Sequence, residues 1–553
     1  MIKINERFVE EEYGENGILK HLSYKYPDNY NFGYDIIDEI AAAEPDRSAL
    51  IWCNPRGDER RYTFGDISRL SNKAANYFRS LGIGKGDMVL TILKRHYQFW
   101  YVSVALHKLG AVMVPATFML TKNDIEFRVR AADIKACICT DMNGVCDAVD
   151  QAEDIPTLKI KMIVNSEREG WHQFDREMES ASDKLERVPT KATEPTLMYF
   201  SSGTSGYPKM VLHNHLYSLG HLATAKHWQN VHPDGVHLTI ADTGWGKTAW
   251  GKLYGQWIME TTIFVYDYDK FEPHEIMSIV EKYRITTLCC PPTMFRMFIN
   301  AGPEQHDLSS LKYCCIAGEA LNPDVFNNWY KATGIKLMEG FGQTETTCTV
   351  CNIIGMTPKP SSMGKPAPQY EVKLVDPDGN DCPSGQSGEI VIKSEPRPPG
   401  LLMEYYRNPE KNEEAFRGGW FHTGDVAWMD EDGYFWYVGR NDDVIKSSGY
   451  KIGPFEIESV LLTHPAVLEC AVTGIPDPVR GQLVKATIVL REGYEGNEAL
   501  IKELQNFVKH ETAPYKYPRA VEFVDELPKS SSGKIMRVEI RKRDIEKMQM
   551  KNE

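Results

Sequence analysis

The run Ser201-Ser202-Gly203-Thr204-Ser205-Gly206-Tyr207-Pro208-Lys209 concentrates hydroxyls, glycines and one ammonium in a single short segment. Glycines let the backbone approach a ligand with its N–H groups exposed. Successive N–H groups and hydroxyls form a concave anion site, and a lysine adds a full charge. The chemistry indicated is phosphate binding. The same composition would suit a flexible linker. This run, however, is entered from an apolar strand, Met198-Tyr199-Phe200, and left through Pro208-Lys209 into Met210-Val211-Leu212. It is not a Walker loop, because Tyr207-Pro208 separates Gly206 from Lys209.

A second stretch is Glu339-Gly340-Phe341-Gly342-Gln343-Thr344-Glu345. Gly340 and Gly342 permit close backbone approach, and Phe341 offers a ring face on which a base could stack. Thr344 offers a hydroxyl to a phosphate. Glu345 offers hard oxygen to Mg²⁺, which takes one or two carboxylates plus substrate phosphates. Upstream, the strand-like Leu311–Ala317 turns out through Gly318-Glu319-Ala320-Leu321. Ligands bind beyond the carboxyl ends of strands in open α/β sheets. Further on come Gly419-Trp-Phe-His-Thr-Gly-Asp425, Gly439-Arg440-Asn441-Asp442-Asp443, Ser448-Gly449-Tyr450 and a late Ser-rich turn ending in Lys534.

One stretch imitates a Walker loop: Ala241-Asp-Thr-Gly-Trp-Gly-Lys247-Thr248. Asp242 would put negative charge where phosphates should lie, and Trp245 fills a position where backbone must wrap the anion. Trp245, Trp250, Leu253, Tyr254 and Trp257 fit the wall of an apolar cavity better. Lys247 in that wall either reaches water or shortens and polarises the cavity, near Cys289 at the end of a strand. His213-Asn-His215 has no third ligand nearby and reads as hydrogen-bonding structure.

These residues need a scaffold. Between Tyr34 and Thr140 helix and strand patterns alternate. Thr63-Phe-Gly-Asp66 caps a helix with apolar face Ile67, Leu70, Ala74, Phe78 and Leu81. Met88 to Leu93, Val112 to Val114 and Ala136 to Thr140 read as buried strands, with helices between. This is β/α layering on a mainly parallel sheet. The polar segment 167–194 reads as a surface excursion. From Ser361 short strands and Pro/Gly turns indicate a small β-rich subdomain. From about Val444 a compact α+β module follows, closing on a basic tail with Lys542 and Arg543.

The chain has 553 residues, 42% hydrophobic and 25% charged, with net charge −14. That length requires several subdomains. The acidic balance argues against a broad nucleic-acid surface while allowing a local basic pocket. No apolar run reaches membrane length, and Met1 to Asn16 is acidic without a signal-peptide core. Twelve scattered cysteines suit buried strands in a reducing, cytoplasmic setting rather than a disulfide frame. Cys348-Thr-Val-Cys351 lacks the second pair that zinc would need.

Together the motifs resemble the adenylate-forming superfamily over nearly the whole chain, from about Tyr34 to Arg537, and within it the AMP-forming acyl-CoA synthetases, especially the medium-chain branch. Phe341 stands where the family usually has Tyr; the ring face survives and a hydroxyl is lost. The resemblance implies an α/β fold. A large N-terminal domain, residues 1–441, would hold two layered β/α subdomains and the small β-rich subdomain. A hinge at Asp442 would join it to a mobile α+β domain, residues 442–553. It implies ATP, Mg²⁺ and CoA acting on a small carboxylic acid that is short to medium, branched or aromatic. ATP phosphates would lie on Ser201 to Lys209, the base beside Gly318, Glu319, Ala320 and Phe341, and the ribose on Asp425. Arg440, Thr344, Glu345 and Lys534 would serve the reaction. Ser448, Gly449 and Tyr450 would line the pantetheine path. Arg480 would meet a CoA phosphate, with Lys451 and Lys509 as weaker candidates. Trp245, Lys247, Trp250 and Cys289 would line the acyl pocket. The chief alternative is an adenylating enzyme that loads a free-standing carrier protein; no carrier domain is expected after Lys534. A Walker-type ATPase using Lys247 and a non-catalytic nucleotide sensor are the other rivals. Oligomeric state is open, a homodimer included.

Overall fold

The structure is a computed structural model that describes residues 1–201, 208–319, 321–448, 450–529 and 535–552. The apolar runs become parallel strands: Met88–Ile92 pairs with Val112–Pro115 on one side and Ala136–Cys139 on the other. Helix Phe64–Ser80 opens on a reciprocal cap in which Asp66 N–H donates to Thr63 Oγ1 at 3.1 Å and Thr63 N–H to Asp66 Oδ2 at 3.1 Å. Helix Lys122–Ala132 opens in the same way on Thr121 and Asp124. Such caps satisfy helix-end N–H groups that would otherwise be orphaned.

Among the described residues two large sheets form the body of the protein. One has eight strands and includes the hairpin Pro195–Ser201/Lys209–Asn214, with Ser201 opposite Lys209. Its edge is the two-residue strand Glu404–Tyr405. The other has thirteen strands. Its parallel core runs Leu337–Phe341, Tyr313–Ile316, Thr287–Cys289 and Val236–Thr239. The β-rich stretch after Ser361 is continuous with it. Ser362–Pro366 pairs with Val350–Cys351 on one side and with Phe435–Arg440 on the other.

Two sequence expectations change. Segment 167–194 is more than a surface excursion: Trp171, Phe174 and Met178 are buried, and the Phe174 ring lies 5.7 Å from that of Phe78. Charged neighbours masked those few apolar positions. The basic tail is also more than a tail. It is the helix Arg537–Asn552, with Ile540 and Asp544 buried and Asp544 paired to Lys485. Its low apolar content gave no periodic signal.

The C-terminal sheet is built on the long hairpin Val467–Asp477/Gly481–Leu490. It meets the body through several contacts. Asn322 Nδ2 donates to the Ser459 carbonyl at 3.3 Å. The Tyr437 and Phe455 rings lie 6.2 Å apart. Among the described residues no helix is long and apolar enough to cross a membrane.

Candidate active site

The strand Leu337–Phe341 and the turn after it carry the site. Phe341 packs its ring 6.0 Å from Tyr437. Gln343 Nε2 donates to the Thr423 carbonyl at 2.7 Å and also to Asp425. Asp425 and Arg440 face each other directly across the hairpin Trp420–Met429/Phe435–Arg440. Antiparallel pairing therefore delivers carboxylate to guanidinium, with Arg440 Nη1 at 3.2 Å from Asp425 Oδ2. Tyr437 donates its hydroxyl to Asp425 Oδ1 at 2.9 Å.

Asp425 is buried, and that burial raises its pKa despite the opposing pull of Arg440, Tyr437 and Gln343. Burial alone would lower the pKa of Arg440, but Asp425, Tyr437, Asp442 and Glu345 outweigh it and keep the guanidinium charged. Asp442 lies 3.8 Å from Arg440 Nε. Its neighbour Asp443 is tied into the turn, donating its N–H to the Arg440 carbonyl at 3.0 Å.

Glu345 is buried and accepts from the Tyr405 hydroxyl at 3.0 Å, while its carbonyl accepts from Leu402 N–H at 2.8 Å. Lys209 holds its ammonium 5.6 Å over the Tyr405 ring. Burial lowers the Lys209 pKa; Glu345 opposes that, and Lys411 and Arg440 add to it. Lys209, Glu345, Asp425 and Arg440 thus act on one another within one site. Thr344 stands between Gln343 and Glu345, its carbonyl accepting from His213 Nε2 at 2.9 Å. Burial pushes His213 down to about 3, so it is neutral and donates this bond.

Glu339 is also buried. Its Oε1 accepts a long 3.4 Å bond from Leu321 N–H, its Oε2 has no partner among the described residues, and burial raises its pKa to about 8. Gly318 has φ 97°, which suits the left-handed turn into Glu319, whose carboxylate accepts from Thr293 at 2.6 Å. Ser202, Gly203, Thr204, Ser205, Gly206, Ala320, Gly449 and Lys534 lie outside the described residues.

The close approach expected at Gly340 and Gly342 is present, but indoles make it. A Cβ on Gly340 would lie 2.5 Å from the Trp228 ring, and one on Gly342 would overlap Trp250. Trp228 and Trp250 meet edge to face at 6.0 Å, and Trp228 Nε1 donates to the Met338 carbonyl at 3.0 Å. The same strand therefore presents polar groups at its end and an aromatic wall along its length. Lys247 opens the short helix Lys247–Gly251 and donates to the Ala317 carbonyl at 3.1 Å, bridging the wall to the Gly318 turn. Cys289 is buried within reach of its charge, which opposes the burial-driven rise in the thiol pKa. Trp245 is half-buried in the loop before that helix.

On the C-terminal module Arg480 Nη1 donates to Ser448 Oγ at 3.1 Å, and Tyr450 stacks on Tyr515 at 4.1 Å. Ser448 and Arg480 are therefore joined just beyond the strand ends, while Tyr450 opens the short strand Tyr450–Ile452.

His213, read as hydrogen-bonding structure, fills that role; no role was assigned to Tyr405, Tyr437 or Trp228. Each is an ordinary core residue until pairing places it, so no local signal marked it. Gln343, within the Glu339–Glu345 stretch expected at the nucleotide, also holds Asp425.

A Mg²⁺ ion fits the donor set: one buried carboxylate at Glu345 and the neighbouring Thr344 hydroxyl, with substrate phosphates as the remaining ligands.

Comparison with known proteins agrees with this geometry. Residues 37–406 match the family described as AMP-binding enzyme, and 456–534 match AMP-binding enzyme C-terminal domain. The chain is 43% identical to the mitochondrial acyl-coenzyme A synthetase ACSM3 of Homo sapiens, covering 94% of this chain and 90% of that protein. The crystal structure of the anthranilate CoA ligase AuaEII with anthranoyl-AMP superposes with a TM-score of 0.86 at 29% identity, over 95% of this chain and 99% of that one. The Brucella canis acyl-CoA synthetase gives 0.72 at 30% identity, over 95% and 96%. The chain belongs to the AMP-binding enzyme family and is an AMP-forming acyl-CoA synthetase of the adenylate-forming superfamily.

Proposed function

We propose that the enzyme activates a small carboxylic acid with an apolar body, short to medium in length, branched or aromatic, in an Mg²⁺-dependent reaction. One observation carries this: the segment Glu339–Glu345 is shared. Its end groups face Lys209, Asp425 and Arg440, while its glycines seat Trp228 and Trp250. Acid and nucleotide therefore meet on one strand. The printed names of the relatives, acyl-CoA synthetases and an anthranilate ligase, support the same class of acid.

In the first half-reaction a carboxylate oxygen bonds to the α-phosphorus of ATP, the bond to the β-phosphate oxygen breaks, and pyrophosphate leaves. Two anions must approach each other. Lys209 and Arg440 supply fixed positive charge, and Asp425 orients the ribose while Gln343 and Tyr437 hold it. Mg²⁺, when bound, neutralises polyphosphate charge and eases departure of pyrophosphate. Lys534 belongs to the same half-reaction in this proposal, acting on the reacting carboxylate. In the second half-reaction the CoA sulfur bonds to the acyl carbon, the carbon–oxygen bond to AMP breaks, and the thiol proton passes to solvent. The domain boundary lies at 441/442, with rotation about Asp442 exchanging the two halves; Ser448, Tyr450 and Arg480 then receive CoA. The buried cysteines support a reducing compartment, and we place the enzyme in the cytoplasm.

A panel of carboxylic acids, scored by AMP release and thioester formation with CoA, tests the proposal. Short, branched or aromatic acids should be turned over best. AMP release without CoA thioester would move the assignment to carrier-protein loading.

A further inference from the structure

We propose that Tyr405 is a positioning residue for the reaction: its hydroxyl aims the Glu345 carboxylate at the polyphosphate and its ring sets the height of Lys209. This rests on the nucleotide reading of the site above.

The geometry is unusually specific for a tyrosine that sequence reading left in the core. Among the described residues, the Tyr405 hydroxyl is the hydrogen-bond partner of the Glu345 carboxylate, at 3.0 Å on Oε1. One oxygen is thereby fixed and the other left for a ligand. The Lys209 ammonium sits 5.6 Å from the ring centroid, within cation–π range. Tyr405 thus touches the lysine that closes one motif and the glutamate that closes another.

The backbone around it is stitched on both sides. Tyr405 faces Val211 in the antiparallel register. Met403 N–H donates to the Leu212 carbonyl and Tyr406 N–H to the Met210 carbonyl, each at 2.8 Å. Leu402 N–H donates to the Glu345 carbonyl at 2.8 Å. Asn412 clamps the residue itself: Tyr405 N–H donates to Asn412 Oδ1 at 2.7 Å, and Asn412 Nδ2 donates to the Tyr405 carbonyl at 2.9 Å. A strand of only two residues is held by side-chain and backbone bonds on each side, which a core filler does not require. Groups that orient a metal-binding carboxylate commonly change metal affinity when removed, by roughly ten- to a hundred-fold.

The test is Tyr405→Phe, which keeps the ring and deletes the hydroxyl. Mn²⁺ binding to enzyme saturated with a non-hydrolysable ATP analogue, followed by electron paramagnetic resonance, should weaken roughly ten-fold or more. Affinity for the analogue in chelator and the melting temperature should stay near wild type. The Mg²⁺ concentration for half-maximal adenylate formation should rise in parallel, while the rate at saturating Mg²⁺ largely recovers. In a Glu345→Gln background Tyr405→Phe should add nothing, because its target is gone. Asn412→Ala, which loosens the Tyr405 backbone without removing the hydroxyl, should shift Mn²⁺ affinity in the same direction by less. Wild-type Mn²⁺ affinity in Tyr405→Phe, or losses that add to those of Glu345→Gln, would overturn the proposal. Failure of the functional reading would look different: wild-type enzyme would release no AMP with any acid.

Discussion

Two buried charge clusters in this protein have similar residues and opposite character. One lies behind the Asp242–Trp245 loop. There Asp267 receives His96 Nδ1 at 2.8 Å and Lys94 at 3.1 Å, Lys94 also reaches Asp269 at 2.6 Å, and Arg95 reaches Asp242 at 3.4 Å. Burial pushes the Asp267 pKa up, but His96, Lys94 and Arg95 outweigh it and the net shift is downward. The other cluster is the active site. There Asp425 is shifted upward, and Lys209 has a lowered pKa with no carboxylate in ion-pair contact among the described residues. A closed cluster satisfies its charges internally and holds the fold. An open one leaves charge for a substrate to complete. The contrast also separates two kinds of lysine: Lys94 is paired with carboxylates, whereas Lys209 lies over a tyrosine ring, free for the phosphate proposed above.

The comparison can be broken at its strongest point first. Arg440→Ala should lower the rate of acid-dependent pyrophosphate release about 10²–10³-fold, with the melting temperature little changed. Asp267→Ala should do the reverse. Stripping the partner from Lys94 and His96 should cost about 3–5 kcal/mol by chemical denaturation, while the folded fraction keeps its turnover. If both variants lost rate and stability alike, the division into open and closed clusters would fail.

The pH response sharpens the same distinction. Asp267 has a depressed pKa, so its contribution is present above the ordinary carboxylate range and lost as pH falls through the lowered value. Glu339 runs the other way. Its pKa rises from 4.5 to about 8, so the stability tied to its neutral form is complete below about 4.5 and lost as pH climbs through about 8. Glu339→Gln should therefore flatten the decline in melting temperature between about pH 5 and 8, the window between the ordinary and the raised pKa of this carboxyl. An unchanged slope would show that Glu339 is already ionised in the fold.

Smaller effects concern the aromatic wall. Gly342→Ala would drive a methyl into Trp250 and should cost about 1–3 kcal/mol, with part of that recovered by Trp250→Leu. Lys247→Ala should alter the order of preference among acids while ATP affinity, measured by titration calorimetry, stays within about two-fold, a change below 0.5 kcal/mol. Loss of ATP binding in that variant would revive the Walker reading of Ala241–Thr248.

Much of this was legible along the chain because some signals are local. The cap at Thr63 and apolar runs such as Met88–Ile92 depend on neighbours a few residues away, and they appear where expected. Other features are not local. The helix Arg537–Asn552 has too few apolar positions to announce itself, and it forms because Ile540 and Asp544 find cover on the C-terminal sheet. Phe174 was hidden among charges until Phe78 and Tyr101 closed over it.

Residue types and their spacing, then, pointed to phosphate binding with a carboxylate beside it and determined the layering of β with α. Only tertiary structure decided what Gly340 and Gly342 admit, which tyrosines hold Asp425 and Glu345, and that Lys247 turns to the Ala317 carbonyl. The reason is physical. A motif records what a segment can do with its own atoms, whereas an orientation is fixed by groups that pairing and packing bring from hundreds of bonds away.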